Sequence, residues 1–199
     1  MKKSQRKFIV FTSLVGVLTV TSALLLAFAP APLTADAASS LFAIEAPSSL
    51  DVIYDTQTPT NPSRWKYVYI RHTRTAAGNA LTLGQNTGEF GDHFVIGNGD
   101  GCIDGEIQIG QRWNQQQPAL PPMKGAMIDP SCVSISLVGD FDRTVPTSTQ
   151  LRRLSQLVGT LQGRLGIPAN HVLLLDQSNS PAGVGKYFPT GAFRAQLLP

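Results

Sequence analysis

Short apolar or alternating runs, each bounded by Gly, Asn or Asp, recur between Trp65 and Phe141 and predict strands separated by turns. In Lys66–His72, Tyr67, Tyr69 and Arg71 alternate with Val68, Ile70 and His72, so one face of the strand is apolar apart from its last residue. His93–Ile96 and Ile103–Ile109 predict two more strands joined by the glycine-rich turn Gly97–Gly101. Ser131–Val138 is almost wholly apolar, as expected at the centre of a covered sheet. His171–Leu175 predicts a last buried strand.

One helix stands out. Leu151, Leu154, Leu157, Val158, Leu161 and Leu165 form a stripe, Thr147 and Gln150 make a capping box, and Gly166 and Pro168 end it. One helical turn is expected at Ala80–Leu83 and another at Gly191–Leu197, with a long loop over Gln111–Pro130. The order predicts an α/β or α+β domain, a mixed central sheet flanked by helices, over residues 64–199.

The N-terminus has a different pattern. Lys2, Lys3, Arg6 and Lys7 precede Phe8–Ala29, which carries no charge, and Ala35-Asp-Ala37 offers a small-residue cleavage site. Crossing a bilayer takes about 20 apolar residues, so residues 1–37 read either as a cleaved secretory signal or as a membrane anchor. Both place the rest of the chain outside the cytoplasm, periplasmic or extracellular in the cell envelope. Residues 38–63, rich in Ser, Thr, Pro and Ala, read as a linker, with Leu41–Ile44 a short strand or staple.

Charge changes meaning once these parts are separated. Without the four N-terminal cations the formal charge of +3 becomes −1, so no basic footprint for nucleic acid remains. In an oxidising compartment Cys102 and Cys132 are expected to pair, the alternative being two buried thiols; such a bridge contributes roughly 3–4 kcal/mol. Asn98, Asp100, Asp104 and Glu106 lack calcium-loop spacing and read as solvated turn residues.

Trp65-x-Tyr-x-x-x-x-His-Thr73, His93-Phe-Val-Ile-Gly, Gly105-Glu-Ile, Arg112-Trp113, Lys124-Gly-Ala126, Ser134–Phe141, Pro146-Thr-x-x-Gln150 and Gly166-Ile-Pro168 occur in one order. In that order they resemble the zinc-dependent N-acetylmuramoyl-L-alanine amidases of the type 2 class, which share a fold with peptidoglycan recognition proteins. The resemblance spans Trp65–Pro189. It implies that fold and a cell-wall peptidoglycan or muropeptide partner. In the family, zinc held by two histidines and a Cys or Asp activates water of pKa about 7 to cut the amide between muramic acid and L-alanine.

Carried over residue by residue, the three ligand positions fall on Arg71, Leu175 (or within Leu173–Leu175) and Gly183, none of which can bind zinc. Asp92 stands where the family has Tyr, and Met127 where it has His. A one-residue slip would make His72 the ligand but would send its side chain to the other face.

The resemblance therefore implies a zinc-less member without intact catalytic residues, binding peptidoglycan or a related glycopeptide, or a protein partner, in the former active-site groove. The alternatives are an active amidase with a metal site rebuilt from His72, His93, Asp92 or Asp176, and a structural envelope protein whose groove binds nothing. Expected binding residues are Arg71, His72, Thr73, Asp92, His93, Arg112, Trp113, Lys124 and Lys186. For Arg71 two roles stay open: a cation offered to a peptide or muramic carboxylate, or a local pair with Asp92 or Asp176. The alternative reading is packing for Trp113, the commoner role of such a residue, and solvated cations for Lys124 and Lys186.

Overall fold

β4 (Cys132–Leu137) is buried along its whole length because it has strands on both sides and cover on both faces. It pairs in parallel with β1 (Tyr67–His72) on one side and with β2 (Phe94–Ile96) on the other. β5 (Val172–Leu174) continues the sheet in parallel beyond β1, and β3 (Ile107–Ile109) runs antiparallel to β2 at the far edge. The sheet order is β3-β2-β4-β1-β5, so the fold is α/β with a mixed five-stranded sheet. This computed structural model describes residues 47–199, apart from 86, 87, 124, 126 and 175–182.

Strand alternation divides the sheet into two unlike faces. Val68, Ile70, Phe94, Ile96, Val133, Ile135 and Leu137 form the main core with the apolar stripe of a long helix, Ser148–Leu165. The other face is covered thinly, by a small cluster of Phe90, Val95 and Val138 with Ala80 and Leu83 from the short helix α1 (Ala80–Gly84). That face also carries Tyr69, Arg71, Ser134 and Ser136, which neighbour one another by register. The site develops there.

Two further short helices, α2 (Gln111–Asn114) and α4 (Thr190–Arg194), flank the long helix α3 (Ser148–Leu165) in chain order. α3 begins with the expected capping box between Thr147 and Gln150 and ends at Gly166, whose left-handed φ of 68° suits glycine. The Thr147 hydroxyl also donates to Asp104 Oδ1 at 2.6 Å. Thr147→Ala should therefore cost about 1–2 kcal/mol, read as a lowered urea midpoint at unchanged slope.

Several expectations need correction. The strand predicted over Ile103–Ile109 is confined to Ile107–Ile109. Gly97 N–H bonds Glu106 O and Gly105 N–H bonds Gly97 O, so the whole stretch from 97 to 106 turns, with Gly105 at φ 76°. The Gln111–Pro130 loop opens with α2, which buries Trp113. Within the segment read as a linker, residues 47–54 pack against the domain. Pro47–Tyr54 is a 3-10 helix that buries Leu50 and Ile53, and the Tyr54 hydroxyl reaches Thr160 O at 3.3 Å. The apolar spacing Leu50, Ile53, Tyr54 explains this packing better than the Ser/Pro content does.

The disulfide does not form: both cysteines are free. Cys132 opens β4, whereas Cys102 lies beside Gly97, just past the end of β2 that pairs with Leu137. Five strand residues, roughly 16 Å, separate those two levels of the sheet, and a bridge needs Cα atoms within about 7 Å. Among the described residues no helix is long and apolar enough to cross a membrane. The readings of Phe8–Ala29 and of Leu41–Ile44 lie outside the described residues.

Candidate functional site

The thinly covered face of the sheet holds a groove of about 310 Å³. Its polar lining comes from Arg71, Thr73, Thr75 and Thr82; Leu83, Phe90, Leu120 and the pair Pro121–Pro122 supply the apolar lining. Arg71 and Thr73 come from the end of β1, Thr82 and Leu83 from α1, and Leu120 to Pro122 from the loop after α2. That loop is held to the groove by the Leu120 N–H, which donates to Gly91 O at 2.8 Å.

Arg71 is the charged centre of the groove. Its Nε donates to Asp92 Oδ1 at 3.2 Å, its Nη2 makes a close ion pair with Asp92 Oδ2, and its Nη1 reaches His72 O at 3.3 Å. Asp92 is fully buried and also accepts from the Ser134 hydroxyl, which comes from β4. A buried carboxylate is tolerated only when its oxygens find donors of this kind. Burial alone would lower the Arg71 pKa, but the Asp92 charge and hydrogen bonds outweigh it and raise the guanidinium above its ordinary value. The neighbouring Tyr69 phenol is pushed up to about 12, chiefly by burial. Of the two roles open for Arg71, the pair with Asp92 is present; Asp176 lies outside the described residues.

Thr73 belongs to the groove as expected. Its hydroxyl accepts from the Gly139 N–H at 3.1 Å and lies 2.7 Å from the Thr75 hydroxyl, which fixes the polar lining to the end of β4.

His72 does not line the groove. Alternation turns it away from Arg71 into the core beside Phe141, where its ring is fully buried. Nδ1 accepts from the Phe141 N–H at 2.9 Å, which places the proton of the neutral ring on Nε2, 4.0 Å from Asp142 Oδ2. The His72 N–H donates to the carbonyl of Gly183 at 3.1 Å. Gly183 thus contributes backbone to the strand end and no side chain.

His93 is also a core residue rather than a ligand contact. Its ring sits edge-on to Trp65 and Trp113, at 5.0 and 5.7 Å between centroids. Nδ1 accepts from the Ser134 N–H at 2.9 Å, and Nε2 donates to Gln117 O at 2.8 Å. Protonation would set an Nδ1–H against the Ser134 N–H. Burial lowers the His93 pKa to about 4. A folded-state pKa below the unfolded value of about 6.5 means the unfolded chain binds the proton first as pH falls. The stabilisation is whole above pH 6.5 and is lost between there and pH 4, by about 3 kcal/mol. Urea denaturation across that range should show this loss, and His93→Gln should flatten it.

Trp113 is fully buried and donates from Nε1 to Ile53 O; Tyr54, Trp65 and Phe94 pack around it, so the packing role is the one observed. Arg112 is not among the residues lining the groove. It pairs with Glu89 and donates to Pro118 O at 2.7 Å, which braces the loop that carries Leu120. Lys186 is exposed beside Tyr187, 4.8 Å from its ring, and is not among the residues lining the groove. Met127 is 97% exposed. Lys124 and Leu175 lie outside the described residues.

Sequence reasoning missed Ser134, Thr75, Thr82, Leu83, Phe90, Leu120 and the Pro121–Pro122 pair. A signal for Ser134 existed: Ser134 and Ser136 are the polar i, i+2 positions of an otherwise apolar strand, and so share a face.

Among the described residues, those that the sequence resemblance sets at or beside the zinc-ligand positions do not fit the ion. Arg71 is a cation engaged with Asp92, Gly183 offers only a carbonyl already used by His72, and Nδ1 of both His72 and His93 accepts from a backbone N–H. Among the described residues no three His, Cys, Asp or Glu side chains gather as a metal site.

These features define an α/β protein with a mixed sheet, a helix-packed core on one face and, on the other, a groove lined by Arg71, threonines and apolar side chains. No protein-family model matches the chain, and no curated protein matches its sequence. Solved structures similar to it include the endolysin N-acetylmuramoyl-L-alanine amidase LysCS from Clostridium intestinale (19% identity, 72% of this chain and 90% of that one, TM-score 0.45). The peptidoglycan recognition protein PGRP-Hd from Alvinella pompejana is another (18% identity, 72% and 89%, TM-score 0.45). A selenomethionine derivative of AmpD is a third (16% identity, 72% and 89%, TM-score 0.49).

Proposed function

We propose that this protein binds peptidoglycan or a related glycopeptide in the groove beside Arg71, without hydrolysing it, in the cell envelope. The observation that carries the reading is the Arg71–Asp92 pair. The sequence resemblance puts a zinc ligand at position 71, and there the chain holds a cation bonded to a buried carboxylate. The groove itself remains, with hydroxyls for a glycan or peptide backbone and an apolar lining for methyl-bearing groups. Recognition needs that surface but not the ion. The N-terminal charge pattern, read as signal or anchor, supports an exported location.

The test is sedimentation with insoluble peptidoglycan, with and without a zinc chelator, followed by assay for newly released peptide. The reading expects co-sedimentation in both conditions and no release. Release of peptide that the chelator abolishes would instead establish the amidase with a rebuilt metal site.

A further inference from the structure

An arginine presents five N–H donors, and three of those on Arg71 are engaged: Nε and Nη2 by Asp92, and Nη1 by His72 O. One N–H on each terminal nitrogen has no acceptor among the described residues. The Arg71 side chain is 15% exposed and Arg71 lines the groove, whereas Asp92 is 1% exposed and is not among the lining residues. The cation therefore meets the groove while its counter-charge does not. Two donors on adjacent nitrogens match the two oxygens of a carboxylate.

We propose that the groove recognises its ligand by a carboxylate seated on Nη1 and Nη2 of Arg71, and that buried Asp92 and Ser134 act as positioning residues for that guanidinium. Asp92 fixes the plane of the guanidinium through the Nε and Nη2 edge, and the Ser134 hydroxyl fixes Asp92 from β4. Thr73 and Thr75 supply hydroxyls nearby, and Leu83 and Phe90 contact the apolar part of the ligand. A neutral amide carbonyl accepts the same donors but without the charge, so the seat favours the free acid.

This rests on the glycopeptide reading above, and within it the carboxylate has two sources. One is the acid groups of the peptide. The other is the lactyl acid of muramic acid, which is free only after an amide hydrolase has removed the peptide, so its use would place this protein after such a reaction.

The experiment is calorimetric titration of the full chain, held in detergent micelles, with five probes. These are a complete muropeptide, N-acetylmuramic acid, its lactyl amide, the dipeptide L-alanyl-D-glutamate, and that dipeptide with its carboxyls amidated. The expected result is a roughly ten- to hundred-fold weaker Kd on amidation of at least one acid. Preference for N-acetylmuramic acid over its amide assigns the lactyl source, and preference for the free dipeptide assigns the peptide source. The acid preference should shrink in the paired variant Arg71→Gln with Asp92→Asn, which leaves no buried charge alone. Equal affinity for acids and amides, with the muropeptide still bound, overturns the carboxylate seat but leaves the glycopeptide reading standing. No binding of any probe overturns both.

Discussion

Replacing Arg71 with Met will destabilise the fold by about 3–5 kcal/mol, because it leaves the Asp92 carboxylate buried without its cation. This is the largest effect expected from any residue of the groove. The cost arises from the widowed charge rather than from the pair's own strength. Replacing the whole network, Arg71→Met with Asp92→Leu and Ser134→Ala, should therefore recover most of the loss. Urea unfolding of wild type, single and triple variants measures this directly. If the single variant kept wild-type stability, Asp92 would have a different partner. The same experiment separates stability from recognition, since the triple variant folds yet lacks the guanidinium that faces the groove.

Trp113→Ala is the second large effect, about 3–5 kcal/mol, for a different reason. Trp113 has no exposed surface and packs against Tyr54, Trp65, His93 and Phe94, so truncation opens a cavity at the junction of the 3-10 helix, α2 and the sheet. It also leaves Ile53 O without its donor. Peptidoglycan binding per folded molecule should be unchanged, because Trp113 is not part of the groove lining. Retained stability with lost binding would return Trp113 to the ligand surface.

The contrast between these two residues shows where sequence reading succeeds. The strands around Val133–Leu137 and Val68–Ile70, and the stripe from Leu151 to Leu165, were legible because burial imposes a period on them. The Thr147–Gln150 cap was legible because it has a local partner three residues away. The 3-10 helix at Pro47–Tyr54 was hidden, since a few apolar residues, with Val52 facing solvent, carry too little pattern beside a Ser- and Pro-rich stretch.

The candidate site was only half legible. Arg71, Thr73 and Asp92 follow from motif positions and do meet at the groove or directly beneath it. His72 and His93 carry chemistry that suggests a site, yet both are buried and Nδ1 of each accepts from a backbone N–H, of Phe141 and Ser134 respectively. Leu120 and Phe90 reach the groove through loop paths that no periodicity encodes. Cys102 and Cys132 mislead for a similar reason: nearness to strand ends in sequence does not say which end of the sheet each occupies.

The central proposal is that this groove binds its ligand without zinc: Arg71 stands where the sequence resemblance puts a ligand, and among the described residues no three His, Cys, Asp or Glu side chains gather as a metal site. Zinc content of the purified protein, after zinc loading and exhaustive dialysis, tests this most directly. The account predicts that no zinc is retained in proportion to protein. One zinc per chain would contradict it and would assign the groove to metal-dependent hydrolysis.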